Sequence, residues 1–83
     1  MATRAYILIE AAVGKAKRVA EGVTGMSFPN ARVVSVDAVT GPYDVIALLE
    51  AADLDRLGTA ITEGLQEVDG VQHTTTCLVI WLG

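Results

Sequence analysis

Two runs rich in valine, isoleucine and leucine, separated by a short polar segment, constrain the fold of this chain most strongly. The runs occupy residues 33–39 and 45–49, and the segment between them is Thr40, Gly41, Pro42, Tyr43 and Asp44. Runs of this kind broken by turn-forming residues are typical of a β-hairpin. Glycine adopts backbone angles closed to other residues and proline fixes its own φ, so we expect a hairpin loop of defined shape.

The residues before the hairpin predict a strand followed by a helix. Residues 4–10 form a short apolar run bounded by charges, which indicates a central strand buried on both faces. Apolar residues then recur every three or four positions, which is the spacing of an amphipathic helix. They are Ala12, Ala16, Val19, Ala20 and Val23, and we expect the helix to end near Gly22 or Gly25.

The residues after the hairpin predict a second helix, capped by Asp53 and closing at residues 68–70. Its apolar stripe consists of Leu54, Leu57, Ile61, Leu65 and Val68. Gly58 and Gly64 lie at the edges of this stripe, where each costs about 1 kcal/mol relative to alanine. We expect a close approach of the helix to a neighbouring element as their cause. The alternative is that both glycines are simply unfavourable.

A last strand is predicted over residues 71–82, polar in its first half and apolar on both faces in its second half. The element order is therefore βαββαβ, which predicts an α+β, ferredoxin-like sandwich. Right-handed crossovers place both helices on one face of the sheet. The other face would expose an apolar patch, so we expect a second copy of the chain to cover it by two-fold symmetry.

The composition limits the possible functions of the chain. Its 83 residues suit a single domain, and a net charge of −4 with only six Lys and Arg residues argues against nucleic-acid binding. The single cysteine excludes an internal disulfide, which favours the reducing cytoplasm. We find no secretory signal and no apolar segment long enough for a membrane span.

No catalytic or cofactor motif is recognisable, so we expect neither enzymatic activity nor a cofactor. The lone histidine, His73, suits an ordinary hydrogen-bonding residue, and Cys77 suits a packed thiol. Two polar segments remain: residues 40–44, and the threonines at 74–76. Asp44 could accept hydrogen bonds from the ammonium of a free amino acid, while the Gly41 N–H and threonine hydroxyls could meet its carboxylate. Alternatively, Asp44 satisfies the turn backbone and the threonines are good strand formers.

The sequence resembles the effector-binding domain of the Lrp/AsnC, or feast/famine, regulators. The residues that carry the resemblance are the Val-Thr-Gly-Pro-Tyr-Asp loop at 39–44, the helix start Asp53-Leu54, and the closing Gly70-Val71 followed by Thr74 and Thr76. The resemblance implies a dimeric α/β barrel, rings of dimers, and small effectors, usually amino acids, bound between subunits. It also implies the ligand-binding residues Thr40, Gly41, Pro42, Tyr43, Asp44, Thr74 and Thr76.

These regulators normally carry an N-terminal helix-turn-helix, whereas strand one of this chain starts almost at Met1. The chain thus resembles a stand-alone effector domain that senses a ligand or assembles with a full-length relative. Two other classes of small-molecule-binding domain are alternatives to this interpretation. An ACT-type module would place an Asp-x-x-Gly loop after strand one, where residues 10–14 lack it. A dimeric α/β-barrel monooxygenase would need an activating group of residues beyond His73.

Overall fold

The computed structural model describes residues 2–80. The elements in chain order are β1 (Thr3–Ala11), α1 (Ala16–Thr24), β2 (Ala31–Ala38), β3 (Val45–Ala51), α2 (Leu54–Glu63), a 3₁₀ turn (Leu65–Glu67) and β4 (Val71–Leu78). This βαββαβ order confirms the predicted ferredoxin-like α+β fold.

The four strands form one antiparallel sheet in the order β2-β3-β1-β4. Strand β1 is central, as the sequence predicts, and it pairs with β3 on one side and with β4 on the other. Its pairing with β4 shifts register between Glu10 and Ala11. A second irregularity lies in β2 between Val33 and Ser35. The regular pairing of the sheet is therefore interrupted at the C-terminal end of β1 and within the edge strand β2.

The core lies between the helices and one face of the sheet. Alternate residues of β1 and β3 point into it, because successive side chains of a strand face opposite sides. The fully buried strand residues are Ala5, Ile7, Ile9, Val45, Ala47 and Leu49, and the helices add Val19, Val23 and Leu57. Leu65, from the 3₁₀ turn, is also fully buried.

The opposite face of the sheet carries no helix. We call it the open face, and its apolar residues are Tyr6, Leu8, Ile46, Leu48 and Cys77. Tyr6 is 45% exposed, so the prediction that strand one is buried on both faces is wrong for a single chain.

Helix α2 begins as predicted and ends earlier. The Asp53 side chain accepts a hydrogen bond from the Arg56 N–H at 2.8 Å and caps the first turn. The sequence predicts that the helix continues to Val68. The α-helix instead ends at Glu63, and the chain goes on as the 3₁₀ turn. The ring of Phe28 occupies the space that a side chain at Gly64 would fill. The expected close approach is therefore confirmed at Gly64, whereas a Cβ at Gly58 would meet no atom within 4 Å.

Strand β4 ends at Leu78, so the predicted extension to residue 82 is not observed at residues 79 and 80. Trp81 and Leu82, which the sequence also assigned to this strand, lie outside the described residues. Within residues 2–80, no helix has the length and apolar character needed to cross a membrane.

Three charged residues form a row across the open face. Glu50 on β3 is the direct cross-strand partner of both Arg4 on β1 and Arg32 on β2. Its two carboxylate oxygens accept separately, from Arg32 Nε at 2.8 Å and from Arg4 Nε at 2.7 Å. The hydrogen bonds from Arg32 and Arg4 hold the pKa of the Glu50 carboxyl below its ordinary value. One end of the open face therefore carries a net positive charge.

The two glycines of α2 provide a matched pair of substitutions. We expect Gly58→Ala to raise the free energy of unfolding by about 0.5–1 kcal/mol, because alanine favours the helix and its Cβ meets nothing. We expect Gly64→Ala to lower it by about 1–3 kcal/mol, because the Cβ would overlap the Phe28 ring. Urea denaturation of both variants measures the difference. Equal effects would contradict the assigned role of Gly64.

The lowered pKa of Glu50 predicts a specific dependence of stability on pH. A carboxyl whose folded-state pKa lies below its unfolded value stabilises the fold above that unfolded value, and this contribution is lost as pH falls through the folded pKa. The melting temperature of the wild type should therefore exceed that of Glu50→Gln above about pH 5, and the gap should narrow as pH falls below the ordinary pKa of a glutamate and close once pH has fallen through the lower folded-state pKa. Glu63→Gln is the control, because Glu63 makes no ion pair with any described residue. A gap that persists unchanged at low pH would contradict the account.

Candidate functional site

The loop between β2 and β3 has a backbone hydrogen bond across its base and a tip that is exposed to solvent. The Val39 N–H donates to the Asp44 carbonyl at 2.9 Å. Gly41 has φ +128°, a conformation that side chains rarely adopt, which explains a glycine at this position. Thr40, Gly41 and Pro42 are exposed, whereas Tyr43 and Asp44 are half-buried. The loop thus presents its polar tip on a fixed base.

Asp44 connects that loop to the end of β1. Its backbone N–H donates to the Ile9 carbonyl at 2.9 Å, and its Oδ2 accepts from the Ala11 N–H at 2.8 Å. Ala11 lies where the pairing of β1 with β4 shifts register. Asp44 therefore has the structural role that the sequence left open as an alternative. A carboxylate accepts up to about four hydrogen bonds, so this contact leaves capacity for a ligand donor.

The threonines of β4 divide between the two faces of the sheet. Thr74 and Thr76 pair with the buried residues Ile9 and Ile7, so they lie on the face that carries the helices. Thr75 pairs with Leu8 on the open face. Thr74 is half-buried and Thr76 is exposed.

Sequence reasoning missed Gln66 as a functional candidate. The Gln66 Nε2 donates to Thr74 Oγ1 at 2.9 Å. The sequence offers one indication of this contact: Gln66 and Thr74 lie close together in the chain, on either side of a turn. The chain leaves the 3₁₀ turn, reverses at Gly70 and enters β4. Gln66 and Thr74, with Val71, Gln72 and His73, line a cavity of about 320 Å³. We call this cavity the β4 cleft.

The two polar segments that the sequence predicts for ligand binding, residues 40–44 and 74–76, lie on opposite sides of β1 and do not meet within one chain. Asp44 contacts Ile9 from the side of β3, and Thr74 pairs with Ile9 from the side of β4. Strands two positions apart in a sheet are separated by about 9.5 Å. The β4 cleft includes Thr74 and none of residues 40–44.

A larger cavity of about 550 Å³ lies elsewhere. It is lined by residues 26–31 and by the exposed side of α2, including Asp55, Arg56, Thr59 and Glu63. It includes none of the residues that the sequence predicts for ligand binding.

Charged residues at the turns beside β1 form a second small network. The Ala12 N–H donates to the Gly70 carbonyl at 2.8 Å and joins the turn after β1 to the turn before β4. Arg18 Nη1 binds Asp69 Oδ2 at 2.9 Å. This hydrogen bond, with the nearby charge of Lys15, lowers the pKa of the Asp69 carboxyl. The positive charges of Arg18 and Lys15 are thus partly balanced by Asp69.

The reactive residue types stand apart from one another. Cys77 is a free, exposed thiol that pairs across strands with Tyr6, and His73 pairs with Glu10. Among residues 2–80, no group of three or more His, Cys, Asp or Glu side chains is arranged to hold a metal ion.

Comparison with known proteins gives a family for this fold and site. The model of the Lrp/AsnC ligand-binding domain matches residues 4–81. The HTH-type transcriptional regulator PH0140 of Pyrococcus horikoshii, itself uncharacterised, is 31% identical over 75 residues. That match covers 90% of this chain and 45% of the regulator, so the chain spans less than half the length of this relative.

Solved structures share the whole fold. TTHA0845 from Thermus thermophilus has a TM-score of 0.83 and 31% identity, over 100% of this chain and 98% of that one. The transcriptional regulator NMB0573 of Neisseria meningitidis, solved as a complex with L-Met, has a TM-score of 0.79 and 22% identity, over 96% of this chain and 51% of that one. Since the family match spans nearly every residue, the resemblance seen in the sequence is confirmed, and the chain belongs to the Lrp/AsnC ligand-binding domain family.

Proposed function

We propose that this chain is a single-domain, amino-acid-binding regulatory module over residues 1–83. Membership of the Lrp/AsnC ligand-binding domain family carries this proposal. A structural neighbour with the same fold is a transcriptional regulator in complex with L-Met, which supports an amino acid as the effector class. The module senses its effector, or modulates regulators of the Lrp/AsnC type, and does not itself catalyse a reaction.

The ligand is held by the loop at 40–44 and by the threonines of β4. The Asp44 carboxylate receives the ligand ammonium while it keeps its bond to the Ala11 N–H. The Gly41 N–H and the hydroxyls of Thr40, Thr74 and Thr76 donate to the ligand carboxylate. Pro42 and Tyr43 shape the loop around these donors.

A second copy of the chain completes the site. Asp44 and Thr74 lie on opposite flanks of β1, so a small amino acid that touches both segments meets them on different chains. The open face supports a separate contact between two copies, because a soluble monomer rarely leaves a contiguous apolar surface in water. We propose a homodimer closed through this face, with dimers joining into a ring. Thr74 and Thr76 lie on the other face of the sheet, so the contact between dimers brings them to Asp44 of another chain.

The module contacts DNA through a partner and lies in the cytoplasm. Its net charge is −4, and phosphate binding requires clustered basic residues. The matched region of PH0140 belongs to an HTH-type transcriptional regulator, which supports assembly with a full-length Lrp/AsnC regulator.

Amino-acid binding is tested by thermal shift with each of the twenty amino acids. A true effector at about 100 times its Kd should stabilise the protein by ~2.7 kcal/mol. Asp44→Asn retains an oxygen for the Ala11 N–H but loses the charge that meets the ammonium, so we expect about tenfold or greater loss of affinity with little change in the unliganded melting temperature.

The matched control is Asp55→Asn, on the exposed side of α2 and away from both the open face and residues 40–44. It should bind like the wild type. No response to any amino acid would overturn the proposed ligand class, and unchanged binding by Asp44→Asn would overturn the role of Asp44.

The proposed dimer is tested by placing a charge at the centre of the open face. Leu48→Arg buries an unpaired guanidinium in the assembled state, so it should convert the protein to a monomer in light scattering or sedimentation. Leu54→Arg makes the same change at a leucine of α2 that is 56% exposed, and it should leave the assembly intact. A wild-type monomer, or a Leu48→Arg dimer, would contradict assembly through this face.

A further inference from the structure

We infer that Gln66 is a positioning residue that fixes the Thr74 hydroxyl as a hydrogen-bond donor and thereby makes the β4 cleft selective for a carboxylate. This inference deepens the proposed function and rests on it. It depends on one contact, the donation from Gln66 Nε2 to Thr74 Oγ1 at 2.9 Å.

A threonine hydroxyl has one proton to donate and two lone pairs that accept. Left alone, the hydroxyl rotates and serves either a donor or an acceptor on a ligand. The Gln66 amide occupies one lone pair, so the proton must point away from Gln66. Among the described residues, that proton has no recorded acceptor. The hydroxyl therefore stands ready to donate.

The backbone around this contact holds Thr74 and Gln66 at the β4 cleft. Gln66 and Thr74 both line the cleft, with Gln72 and His73 at its polar wall. Gln66 comes from the 3₁₀ turn, whose Leu65 is fully buried, so the turn that carries the amide is anchored in the core. Thr74 is held by β4 in register with the buried Ile9. The backbones of Gln66 and Thr74 are therefore both held in place.

A carboxylate is the ligand group that such a donor recognises. Carboxylate oxygens only accept hydrogen bonds, and bonds to a charged acceptor are shorter and stronger than neutral ones. A carboxamide replaces one of these oxygens by N–H donors, and the Thr74 hydroxyl, with one lone pair already bonded to Gln66, has only its second lone pair left to accept them. Gln66 therefore favours the acid form of a ligand over its amide without touching the ligand.

The test compares an amino acid with its α-amide in the wild type and in five variants. The first probes are L-methionine and L-methioninamide, and the acid that gives the largest thermal shift among the twenty replaces methionine if it binds more tightly. In the wild type we expect a clear preference for the acid. Gln66→Met keeps the length of the side chain and removes the amide, and it should reduce the acid-to-amide affinity ratio by about three- to tenfold.

Four further variants separate positioning from packing. Gln66→Glu makes residue 66 an acceptor, so the Thr74 proton is used internally and acid binding should fall by about tenfold or more. Thr74→Val should lower the ratio as Gln66→Met does, and the double variant should show no further loss, because the two residues act through one contact. Thr59→Val removes a hydroxyl from the exposed side of α2, outside the β4 cleft, and should leave the ratio unchanged.

The possible outcomes distinguish this inference from the proposed function. If the wild type binds no amino acid, the proposed function fails and this inference fails with it. If the wild type binds and Gln66→Met keeps the wild-type ratio, only the role of Gln66 is overturned. Additive losses for Gln66→Met and Thr74→Val would also overturn it. Coupled losses with unchanged melting temperatures would establish positioning, since a packing defect would not alter the acid-to-amide ratio alone.

Discussion

The helices cover only one face of the four-stranded sheet, and the rest of the molecule depends on this asymmetry. Strand alternation puts Ile7 and Leu49 under the helices with no solvent exposure, and it puts Tyr6, Leu8 and Leu48 on the open face. Full burial stabilises a leucine side chain by about 1.5–3 kcal/mol relative to exposure. The open face is therefore where a single chain gains most by meeting another surface.

The same alternation decides which residues can share the ligand site, and this could not be predicted from the sequence. The first half of β4 is polar on both sides, so no apolar pattern shows which threonines turn toward the helices. Register with β1 sets the answer, and a shift of one residue would exchange Thr74 for Thr75. The contact of Gln66 with Thr74 follows from this register, which is why only the structure reveals it.

Local signals predicted the features that depend on local chemistry. The order of elements, the capping role of Asp53 and the turn at Gly41 follow from hydrophobic spacing and from the conformations open to each residue type. The need for glycine at position 64, just after α2 ends, does not, because it depends on the ring of Phe28, a residue distant in sequence. The bond from Ala11 to Asp44 is equally non-local, so the sequence could name Asp44 but could not decide between its structural and binding roles.

In the proposed function, Asp44 has both a structural and a binding role, and the two roles connect ligand binding with assembly. Its carboxylate is positioned by the Ala11 N–H, and a pre-positioned acceptor loses less conformational freedom when a ligand arrives. The β4 cleft, with its donor at Thr74, lies on the other flank of β1. An effector that bridges Asp44 of one chain and Thr74 of another binds the assembled state more tightly than the free chain. By reciprocity, the effector must then stabilise the assembly by the same factor. Under the proposed function, a regulator built on this domain would therefore respond to its effector by a change in association, with no need for a large rearrangement within the chain.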